Sequence, residues 1–395
     1  MIRLELSAIE PLGRLVSRPW DDAVTGVQID SRRIRDGDLF VAVGDGVDFV
    51  EHALARGAAA ALVPDDAHEA LAVIASAVRE RSKARVVAIT GSTGKTSTKD
   101  ILFAMCAPNA RTIANEGNYN TEVGVPLTIC RIEEDTEICI TEMGMRGIGQ
   151  IARLAAVAEP NIGVITNIGP VHLALVETIE NVARAKAELI EALPPGGIAV
   201  VPQEPLLEPY LTRTDIHIQR VDPDLELPFR TGFSSRHQLD NTRIALVTLA
   251  CLELPFPEGE LNVEFSKLRE EERELPGGGL LLNDCYNANP VSMRAALEHL
   301  VERAGPHRRV AVLGEMTELG AAAPAYHEEI GELVRELGVH VIGVGEHARA
   351  YGGEWVPTAA AAADRLREEL RPGDTVLVKG SRSVGLEVVA ENLTR

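Results

Sequence analysis

Short continuous apolar runs, each followed by a glycine, mark the middle of the chain. The runs T-E-I-C-I-T-E-M-G (136–144) and P-N-I-G-V-I-T-N-I-G (160–169) have this form, and V-V-A-I (86–89) precedes another glycine-rich segment. Such runs are typical of parallel strands buried on both faces of a sheet. Apolar residues at helical spacing mark the intervening segments, around 97–106, 148–158 and 178–193. The alternation predicts a doubly wound α/β domain.

Two smaller α/β units flank this central part. The first has short apolar runs and one helical segment within 25–63, and it ends near the charged stretch R-E-R-S-K-A-R (79–85). In the second, the strand-like runs R-V-A-V-L-G, V-H-V-I-G-V-G and D-T-V-L-V-K-G alternate with helical segments. We therefore predict an N-terminal domain at 1–84, a central domain at 85–305 and a C-terminal domain at 306–395.

The composition and the net charge argue against nucleic-acid and membrane partners. Of 395 residues, 45% are hydrophobic, which is enough for several buried cores, and 39 basic against 59 acidic residues give a net charge of −20. A strongly acidic chain argues against non-specific nucleic-acid binding and against an anionic membrane surface. No apolar run reaches the length of a membrane span. We expect neither a nucleic-acid partner nor membrane insertion.

The five cysteines are predicted to be reduced core residues. They form no C-x-x-C pair, and their number is odd. This usage fits a reducing cytosolic compartment. The start, M-I-R-L-E-L-S-A-I-E, lacks the uninterrupted apolar segment of a signal peptide. The prediction is a cytoplasmic location.

The stretch A-I-T-G-S-T-G-K-T (88–96) follows a predicted strand and predicts a phosphate-binding loop. Its glycines allow backbone N–H groups to approach phosphate oxygens, and the next helix adds its positive dipole end. Lys95 would contact the terminal phosphates, and the Thr96 hydroxyl would bind Mg²⁺. The longer phosphate-loop pattern has a glycine where this chain has Ile89. The alternative is an ordinary strand-to-helix turn with a surface lysine.

Two further candidates follow predicted strands. Glu142 ends the run I-C-I-T-E, and His172 comes shortly after V-I-T-N-I-G-P. The carboxyl ends of parallel strands face the ligand crevice of such sheets, so both side chains are candidate Mg²⁺ ligands. The alternatives are a loop glutamate and a structural histidine.

Lys186 lies in the apolar stripe of a predicted helix. In I-E-N-V-A-R-A-K-A-E-L-I-E-A-L, the apolar positions surround Lys186, whereas Arg184 and Glu188 are expected away from the centre of the stripe. A buried ammonium is costly unless it is paired or neutralised. Near a Mg²⁺ site it would also repel the ion. A chemical change in its charge would remove the conflict, and the alternative is a lysine that snorkels at the edge of the stripe.

Two polar segments follow predicted strands nearer the C-terminus. N-D-C-Y-N-A-N-P-V-S-M (283–293) is denser in polar groups than most turns, and V-K-G-S-R-S (378–383) resembles an anion-binding loop. Either segment alone is also compatible with a simple turn.

These pieces together resemble the ATP-dependent Mur ligases of bacterial peptidoglycan synthesis. The resemblance covers nearly the whole chain in the same order. It is carried by D-S-R (30–32), D-G-V-D-F (45–49), T-G-S-T-G-K-T (90–96), N-Y-N-T-E-V-G-V-P-L-T (118–128), T-E-M-G-M-R (141–146), T-N-I-G-P-V-H-L (166–173), A-K-A-E-L-I (185–190), Y-N-A-N-P (286–290), L-G-E-M-T-E-L-G (313–320) and K-G-S-R (379–382). The family has the shorter Gly-x-x-Gly-Lys-Thr loop, so Ile89 fits it.

The resemblance implies a fold and an activity. The fold is a three-domain α/β architecture with a central doubly wound phosphate-loop ATPase domain and a Rossmann-like C-terminal domain. The activity is ATP-dependent amide formation through an acyl phosphate, with ADP and phosphate as products. The stretch 118–128 favours the dipeptide-adding branch, whose substrates are UDP-N-acetylmuramoyl-tripeptide and D-alanyl-D-alanine. We expect a monomer.

The resemblance also implies roles for individual residues. Lys95, His172 and Lys186 would be catalytic, with Lys186 carbamoylated by CO₂. Two Mg²⁺ ions would be held by Thr96, Glu142, His172 and Lys186. ATP would be bound by Gly91, Ser92, Thr93, Gly94, Lys95, Thr96, Asn241, Arg269 and Asp284. The substrates would be bound by Ser31, Arg32, Asn118, Asn120, Asn287, Asn289, Lys379, Ser381 and Arg382.

The chain also departs from the family pattern. The region 202–237 and the stretch before Asp45 are contracted, Gln238 stands where Asn is common, and Glu315 stands where Asp is common. Peptide and uridine recognition are the functions that these contractions affect. The other candidate functions are a Mur-like ligase for a different amine and a nucleotide-binding protein without ligase activity. No D-N-P-R motif, which the amino-acid-adding branch usually carries, occurs in the sequence.

Overall fold

The N-terminal part of the chain folds around a mixed sheet. The computed structural model describes residues 1–117, 119–233, 235–269, 271–275 and 277–393. The first elements are β1 (Leu4–Glu5), β2 (Gly13–Ser17), β3 (Ala23–Val24), β4 (Gly26–Gln28), β5 (Asp38–Val41), α1 (Val50–Ala55), β6 (Ala60–Pro64) and α2 (Ala67–Arg81). The sheet order is β2-β6-β5-β4, with β2 antiparallel to β6, and β1 pairs separately with β3. Asp66 caps α2 by accepting the N–H groups of His68 and Glu69, which fixes where this helix begins.

The central part is an all-parallel sheet with helices on both faces. Its strands are β7 (Arg85–Thr90), β8 (Thr112–Ala114), β9 (Ile138–Glu142), β10 (Ile162–Ile165), β11 (Ile198–Pro202) and β12 (His217–Val221). Its helices are α3 (Lys95–Cys106), α4 (Gly124–Ile129), α5 (Gln150–Ala158), α6 (Leu173–Val176), α7 (Ile179–Glu191) and α8 (Arg236–Cys251). The sheet order is β12-β11-β10-β7-β9-β8, and a short parallel pair, β13 (Arg230–Thr231) and β14 (Glu260–Leu261), lies beside it.

Strand β7 shows why this part is doubly wound. Val86 and Ala88 pack into the core on one face of the sheet, while Val87 and Ile89 pack into the core on the other face. A strand buried on both faces needs apolar residues at every position, which explains the continuous run in the sequence. The strand order reverses at β7, which has β9 on one side and β10 on the other. Crevices at such reversal points bind ligands in doubly wound sheets.

The C-terminal part has its own sheet, in the order β15-β16-β20-β17-β18-β19. Its strands are β15 (Glu271–Leu275), β16 (Gly279–Asn283), β17 (Arg309–Gly314), β18 (His340–Val344), β19 (Glu354–Val356) and β20 (Thr375–Lys379). Its helices are α9 (Pro290–Ala304), α10 (Ala323–Glu336), α11 (Ala359–Glu369) and α12 (Glu387–Leu393). All neighbouring strands are parallel except the edge pair β15–β16. The three α/β parts agree with the predicted fold class.

The second predicted domain boundary, at 305 and 306, lies after β15, β16 and α9, which pack with the third sheet. Strand β16 pairs with β20, so that Leu281 lies opposite Val376, and α9 packs on the same sheet. The prediction of 85–305 and 306–395 assigned these residues to the central domain, because it placed the boundary near A-G-P-H-R-R (304–309). We propose that the third domain begins near Glu271. The other predicted boundary, at 84 and 85, lies directly before β7.

The five cysteines are free thiols. Cys106, Cys130, Cys139 and Cys285 are buried as free thiols, and Cys251 is half-buried. Burial raises the pKa of Cys106, Cys130 and Cys139 to about 12, which leaves their thiols uncharged and unreactive. Within the described ranges, no helix combines the length and the apolar character needed to cross a membrane.

Candidate functional site

The carboxyl ends of β7, β9 and β10 open into one cavity of about 1270 Å³. The wall opposite these strand ends comes from the third part of the chain, at the ends of β16 and β20 and in the loop after β17. A cavity of this size accommodates a nucleotide together with a second substrate.

The phosphate loop is shaped by two glycines that no other residue can replace without strain. Gly91 has φ +151° and Gly94 has φ +75°, both in the region that favours glycine. A Cβ on Gly91 would overlap Thr166 Oγ1, and one on Gly94 would overlap Asn241 Oδ1. The loop is therefore packed on both sides, and α3 begins directly after it at Lys95.

The segment after β10 holds this loop in place. Thr93 N–H donates to Asn167 Oδ1 at 2.9 Å, Asn167 Nδ2 donates to Thr93 Oγ1 at 2.5 Å, and Thr166 Oγ1 donates to Thr93 O at 2.5 Å. Ser92 Oγ is 2.9 Å from both the N–H and the carbonyl of Gly169. The segment after β10 therefore holds the phosphate loop, which follows the neighbouring strand β7. The sequence prediction assigned no role to Thr166 or Asn167.

The Lys95 side chain folds back onto the phosphate loop that precedes it. Its Nζ donates to Gly91 O at 2.9 Å and lies 3.5 Å from Ser92 O. Burial lowers the pKa of Lys95, the nearby Glu142 carboxylate opposes this effect, and Arg269 adds to it. An anion in the cavity would favour the charged ammonium, which is the expected behaviour of a phosphate-binding lysine.

Glu142 is held by groups from three segments. Its Oε2 accepts the Thr96 hydroxyl at 2.8 Å, and its Oε1 accepts Asn120 Nδ2 at 2.7 Å. Its backbone N–H donates to Asn115 Oδ1 at 2.8 Å. Thr96, Asn115 and Glu142 are all buried. The carboxylate is therefore fixed beside the Thr96 hydroxyl, at the mouth of the phosphate loop.

Asn115 connects this carboxylate to a buried lysine. Its carbonyl accepts Lys99 Nζ at 3.2 Å, and Lys99 Nζ also lies 2.9 Å from Asp100 Oδ1. The Nδ2 of Asn115 is buried, and within the described part of the chain it has no hydrogen-bond partner. Asn115 lies next to the motif at 118–128, but nothing in its residue type distinguished it from a turn residue.

His172 lies at the cavity wall with a left-handed backbone, φ 54°. Its Nδ1 is 2.6 Å from Glu318 Oε2, although the ring N–H is not aligned for a hydrogen bond. Burial lowers the pKa of His172, and the Lys95 ammonium contributes in the same direction, while Glu318 opposes them. A neutral imidazole is the form that binds a metal.

Lys186 is buried in α7, with 2% of its surface exposed, and it lines the cavity. Burial, followed by the charge of Lys95, lowers its pKa well below the ordinary value. Among the described residues, no hydrogen bond or ion pair of its Nζ is found. The predicted conflict between burial and charge is therefore real in the structure.

Glu188 differs from its predicted position. It is buried, and its carboxylate accepts the N–H of Gly149 at 2.5 Å and of Ala152 at 3.0 Å. It thereby satisfies N–H groups at the start of α5, where a negative charge is favoured by the helix dipole. The helical periodicity alone placed Glu188 away from the stripe, because the spacing does not reveal a neighbouring helix end.

The Thr96 hydroxyl and the Glu142 carboxylate suit Mg²⁺, although the described residues do not form a complete set of metal ligands. No cluster of three or more His, Cys, Asp or Glu side chains with metal-binding geometry occurs in the described ranges. Mg²⁺ commonly takes one or two protein carboxylates together with substrate phosphates and water. The adjacent Thr96 hydroxyl and Glu142 carboxylate, beside a phosphate loop, have that donor chemistry.

The predicted nucleotide contacts from the later part of the chain also reach the cavity. Asn241 on α8 touches Gly94 of the phosphate loop, and its Nδ2 is 3.3 Å from Gln238 Oε1. The Arg269 guanidinium stacks on the ring of Tyr286, 4.1 Å from its centroid. Asp284 pairs with the buried Lys379 across β16 and β20.

The structure brings together most of the predicted residues. Those that line the cavity are Ser92, Thr93, Gly94, Lys95, Thr96, Asn120, Glu142, His172, Lys186, Asn241, Arg269, Asp284, Asn287, Asn289, Lys379 and Arg382. Gly91, Ser31, Arg32 and Ser381 are not among the lining residues. Asn118 lies outside the described residues.

Two of the predicted substrate contacts, Ser31 and Arg32, lie in the N-terminal part. Ser31 is buried, with its Oγ 2.9 Å from His52 Nδ1, whereas the Arg32 side chain is exposed and pairs with Asp30 at 2.8 Å. The Arg32 guanidinium and backbone N–H lower the pKa of Asp30 to about 2. Neither Ser31 nor Arg32 is among the residues that line the cavity.

Further predicted substrate contacts also have partners within the protein. Asn289 Oδ1 accepts Ser292 N–H at 3.0 Å and caps α9. The carbonyl of Asn287 accepts Lys379 Nζ at 3.1 Å. Ser381 Oγ accepts the N–H of Thr317 at 2.9 Å, so Ser381 holds the loop after β17 rather than facing the cavity.

Three family models match the chain in order. "Mur ligase family, catalytic domain" matches residues 23–92, "Mur ligase middle domain" matches 89–217, and "Mur ligase, glutamate ligase domain" matches 269–382. The last range begins close to β15, the first strand of the third sheet.

Several relatives that align over nearly the whole chain share one name. The UDP-N-acetylmuramoyl-tripeptide–D-alanyl-D-alanine ligase of Mycobacterium tuberculosis is 34% identical, over 100% of this chain and 98% of the relative. The alignment spans 499 residues against the 395 of this chain, so the relative has segments with no counterpart.

Solved structures agree with this result. A crystal structure of MurF from Acinetobacter baumannii has a TM-score of 0.86 at 25% identity, covering 100% of this chain and 99% of that one. The MurF ligase of Thermotoga maritima in complex with ADP has a TM-score of 0.80 at 26% identity, covering 94% and 97%. The predicted family and the predicted fold class are both confirmed.

Proposed function

The chain belongs to the Mur ligase family, and from this premise we propose that it joins D-alanyl-D-alanine to UDP-N-acetylmuramoyl-tripeptide in peptidoglycan synthesis. ATP is consumed, and ADP and phosphate are released. The observation that carries the proposal is one cavity that holds a braced phosphate loop, a fixed carboxylate and a buried lysine for which the described residues provide no counter-ion. A nucleotide switch needs only the first of these features.

ATP is bound by the phosphate loop and the start of α3. The N–H groups of the loop and the helix dipole favour the phosphate anions. Lys95 exchanges its carbonyl contacts for phosphate oxygens, which is favourable because its ammonium is otherwise desolvated. Arg269, Asn241 and Asp284 are proposed to contact the rest of the nucleotide.

Lys186 is proposed to act as a carbamate. Its lowered pKa leaves a neutral amine whose lone pair attacks the carbon of CO₂, forming an N–C bond and releasing one N–H proton to water. The product carries a negative charge on oxygen, whereas the lysine without CO₂ carries a positive charge whenever it is protonated. This change removes the repulsion from Lys95 and gives the cavity a second carboxylate-like group.

Two Mg²⁺ sites are proposed on the existing donors. Thr96 and Glu142 would hold one ion, and His172 with carbamoylated Lys186 would hold the other. Bound Mg²⁺ would neutralise the charge that gathers when a triphosphate and a carboxylate meet. The supporting observation is the donor chemistry: a hydroxyl and a carboxylate 2.8 Å apart, and a neutral imidazole at the same cavity.

The reaction has two steps. A carboxylate oxygen of the tripeptide attacks the γ-phosphorus, and the bond from that phosphorus to the ADP oxygen breaks. The amine of D-alanyl-D-alanine then attacks the acyl carbon, loses a proton, and the carbon–oxygen bond to phosphate breaks. The third domain covers the cavity with Asp284, Lys379 and Arg382, and such closure protects an acyl phosphate from water.

The remaining contacts belong to the same proposal. Ser31 and Arg32 would hold the uridine end of the substrate, and Asn118 and Asn120 would face the muramoyl peptide. The other third-domain contacts would be Asn287, Asn289, Lys379, Ser381 and Arg382. We propose that the enzyme is a monomer. We also propose a cytoplasmic location, because its phosphate donor, ATP, is present there.

Release of ADP and phosphate tests the proposal. The purified protein is mixed with ATP, Mg²⁺ and a panel of acceptors and amines. We expect turnover only when UDP-N-acetylmuramoyl-tripeptide and D-alanyl-D-alanine are both present. Equal turnover with lysine or meso-diaminopimelate would favour another branch of the family. ATP binding without any amide product would favour a non-catalytic nucleotide-binding protein.

A further inference from the structure

The contact between His172 and Glu318 joins two parts of the chain that are far apart in sequence. His172 follows β10 of the central sheet, and Glu318 lies in the loop after β17 of the third sheet. The Nδ1 and Oε2 atoms are 2.6 Å apart, and both residues line the cavity. The proposed function gives His172 a metal-binding role but gives Glu318 none.

Both residues have a backbone conformation that side chains rarely adopt. The φ angle is 54° at His172 and 66° at Glu318. Non-glycine residues in this region are strained, and such strain persists only where the surrounding structure imposes it. Two strained residues that touch each other across a domain interface indicate that this contact is built into the fold.

The backbone around Glu318 is fixed from both sides. The N–H of Ala174 donates to Glu318 O at 3.1 Å, which ties the loop to the start of α6. On the other side, Met316 N–H donates to His327 Nε2 and Thr317 N–H donates to Ser381 Oγ, each at 2.9 Å. The backbone that carries the carboxylate is therefore fixed by the fold, while the Glu318 side chain is partly exposed.

The contact decides which nitrogen of the histidine is available. Nδ1 is buried against the Glu318 carboxylate, so Nε2 is the remaining ring nitrogen for a ligand in the cavity. Metal-binding histidines generally donate their other ring N–H to a carboxylate or carbonyl, which fixes the tautomer and the ring orientation. The torsion that turns the ring has a broad minimum, so a small rotation aligns the N–H with the carboxylate.

We propose that Glu318 is a positioning residue that orients His172 for the second metal ion. Because the two residues belong to different domains, the site becomes complete only when the third domain lies against the central one. Closure of the third domain against the central domain is then coupled to binding of the second metal ion. This inference rests on the proposed function, since it assumes a metal at His172.

Arg146 also carries a charge near Glu318. Its Nε is 3.7 Å from Glu318 Oε1, and its side chain is mostly exposed. An exposed pair at this distance contributes little. Arg146 therefore does not compete with His172 for the carboxylate.

Binding of Mn²⁺ to the full-length protein tests the proposal without relying on activity. Bound Mn²⁺ is counted by electron paramagnetic resonance in the presence of a non-hydrolysable ATP analogue. The variants are Glu318→Gly, which removes the carboxylate and relieves the backbone strain, and Glu318→Gln, which keeps the shape and one acceptor oxygen. Glu328→Gln is the control, because Glu328 is exposed on α10.

The wild type is expected to bind two ions. Glu318→Gly should weaken the second ion by about tenfold or more and leave the first unchanged. Glu318→Gln should have a smaller effect, and the control should match the wild type. Thermal unfolding of Glu318→Gly should be no lower than that of the wild type. If that variant unfolds, the isosteric Gln variant decides the result.

Two results would overturn the proposal: only one Mn²⁺ bound by the wild type, or unchanged affinity for the second ion in Glu318→Gly. An enzyme that forms the amide but shows no effect of Glu318→Gly would keep the proposed function and remove the role of Glu318. A wild type without amide product, in which Glu318→Gly still weakens the second ion, would support the role of Glu318 and refute the proposed function.

Discussion

Lys186 is the residue at which sequence and structure agree most closely. Its position in the apolar stripe of a helix predicted burial, and the structure buries it beside a second lysine. The periodicity was sufficient because α7 packs along its full length, so burial depends mainly on the position around the helix. The same reasoning failed for Glu188, whose partner is the start of another helix.

Replacement of Lys186 tests its proposed chemistry. Lys186→Ala should lower kcat by about a hundredfold, because it removes a group that organises charge at the reacting phosphate. Depletion of CO₂ should slow the wild type, and intact mass should show the addition of one CO₂ to a fraction of the protein. Lys83→Ala is a control at a lysine outside the cavity. Full activity of Lys186→Ala would refute the role.

Several residues at the site had no signal that could be recognised from residue type. Asn115, Thr166 and Asn167 act by hydrogen bonds to backbone groups of other segments, at 2.8 Å, 2.5 Å and 2.9 Å. Asparagine and threonine are common in turns, and their partners become visible only when the strands are adjacent. Glu318 belongs to the same class, since its partner lies in another domain.

At the level of elements, the phosphate loop was predicted from its glycines and the preceding strand. Its bracing by the segment after β10 was not predicted, because it depends on the strand order β10-β7-β9. A strand with the sequence of β7 at the edge of the sheet would have only one neighbouring strand, and it could lack the contacts from the segment after β10. The sheet order therefore supplies part of the ATP site.

Gly94→Ala tests the packing of this loop. The added Cβ would overlap Asn241, and φ +75° is strained for alanine. Strain of about 1–3 kcal/mol corresponds to a loss of roughly fivefold to 150-fold in ATP affinity. Calorimetric titration with ATP measures this loss. Gly147→Ala is the matched control, since its Cβ meets nothing within 4 Å, and equal affinities of the two variants would contradict the prediction.

The loop after β17 depends on a neutral histidine. His327 Nε2 accepts Met316 N–H at 2.9 Å, and its Nδ1 is 2.7 Å from Ala323 O, which requires the proton on Nδ1. Burial lowers the pKa of His327 below its ordinary value of 6.5, and the Ala323 carbonyl partly opposes this. Protonation of Nε2 would remove the acceptor for Met316.

The sign of the pH effect follows from that lowered pKa. The contribution of His327 to stability is fully present above pH 6.5 and is lost as the pH falls through the lower folded value. His327→Gln supplies an acceptor that does not titrate. The free energy of unfolding of the wild type should therefore fall more than that of the variant between about pH 7.5 and pH 5. Urea unfolding at both values measures the difference, and parallel changes would contradict the prediction.

At the scale of the whole molecule, three α/β parts were predictable from the alternation of runs and helices. We propose that the second boundary lies earlier than predicted, because β16 precedes α9 in sequence but pairs with β20 near the other end of the third sheet, where Leu282 lies opposite Leu377. Such pairing between distant segments leaves no local signal in the sequence. The position of the third part over the cavity likewise depends on contacts between distant segments.

Arg79 ties the N-terminal part to the central part. Its buried guanidinium donates from α2 to Ala158 O at 2.9 Å, Glu159 O at 3.0 Å and Asn161 Oδ1 at 3.3 Å. Arg79→Met keeps the apolar stem but leaves these acceptors unpaired, so the free energy of unfolding should fall by about 3 kcal/mol. Thermal or urea unfolding measures the loss.

Arg81→Met is the matched control for Arg79→Met. Arg81 donates to the carbonyl of Arg3 at an exposed position, and its loss should cost roughly 0.5 kcal/mol or less. Equal destabilisation by both variants would contradict a specific role of Arg79 at the domain junction.

The fate of a carboxylate oxygen tests the proposed ligase mechanism most directly. The terminal carboxylate of UDP-N-acetylmuramoyl-tripeptide is labelled with ¹⁸O, and the products of a reaction with ATP and D-alanyl-D-alanine are analysed by mass spectrometry. Phosphorylation of the carboxylate followed by attack of the amine predicts one ¹⁸O atom in the released phosphate and one in the new amide. Phosphate without the label, in a reaction that forms the amide, would contradict the mechanism.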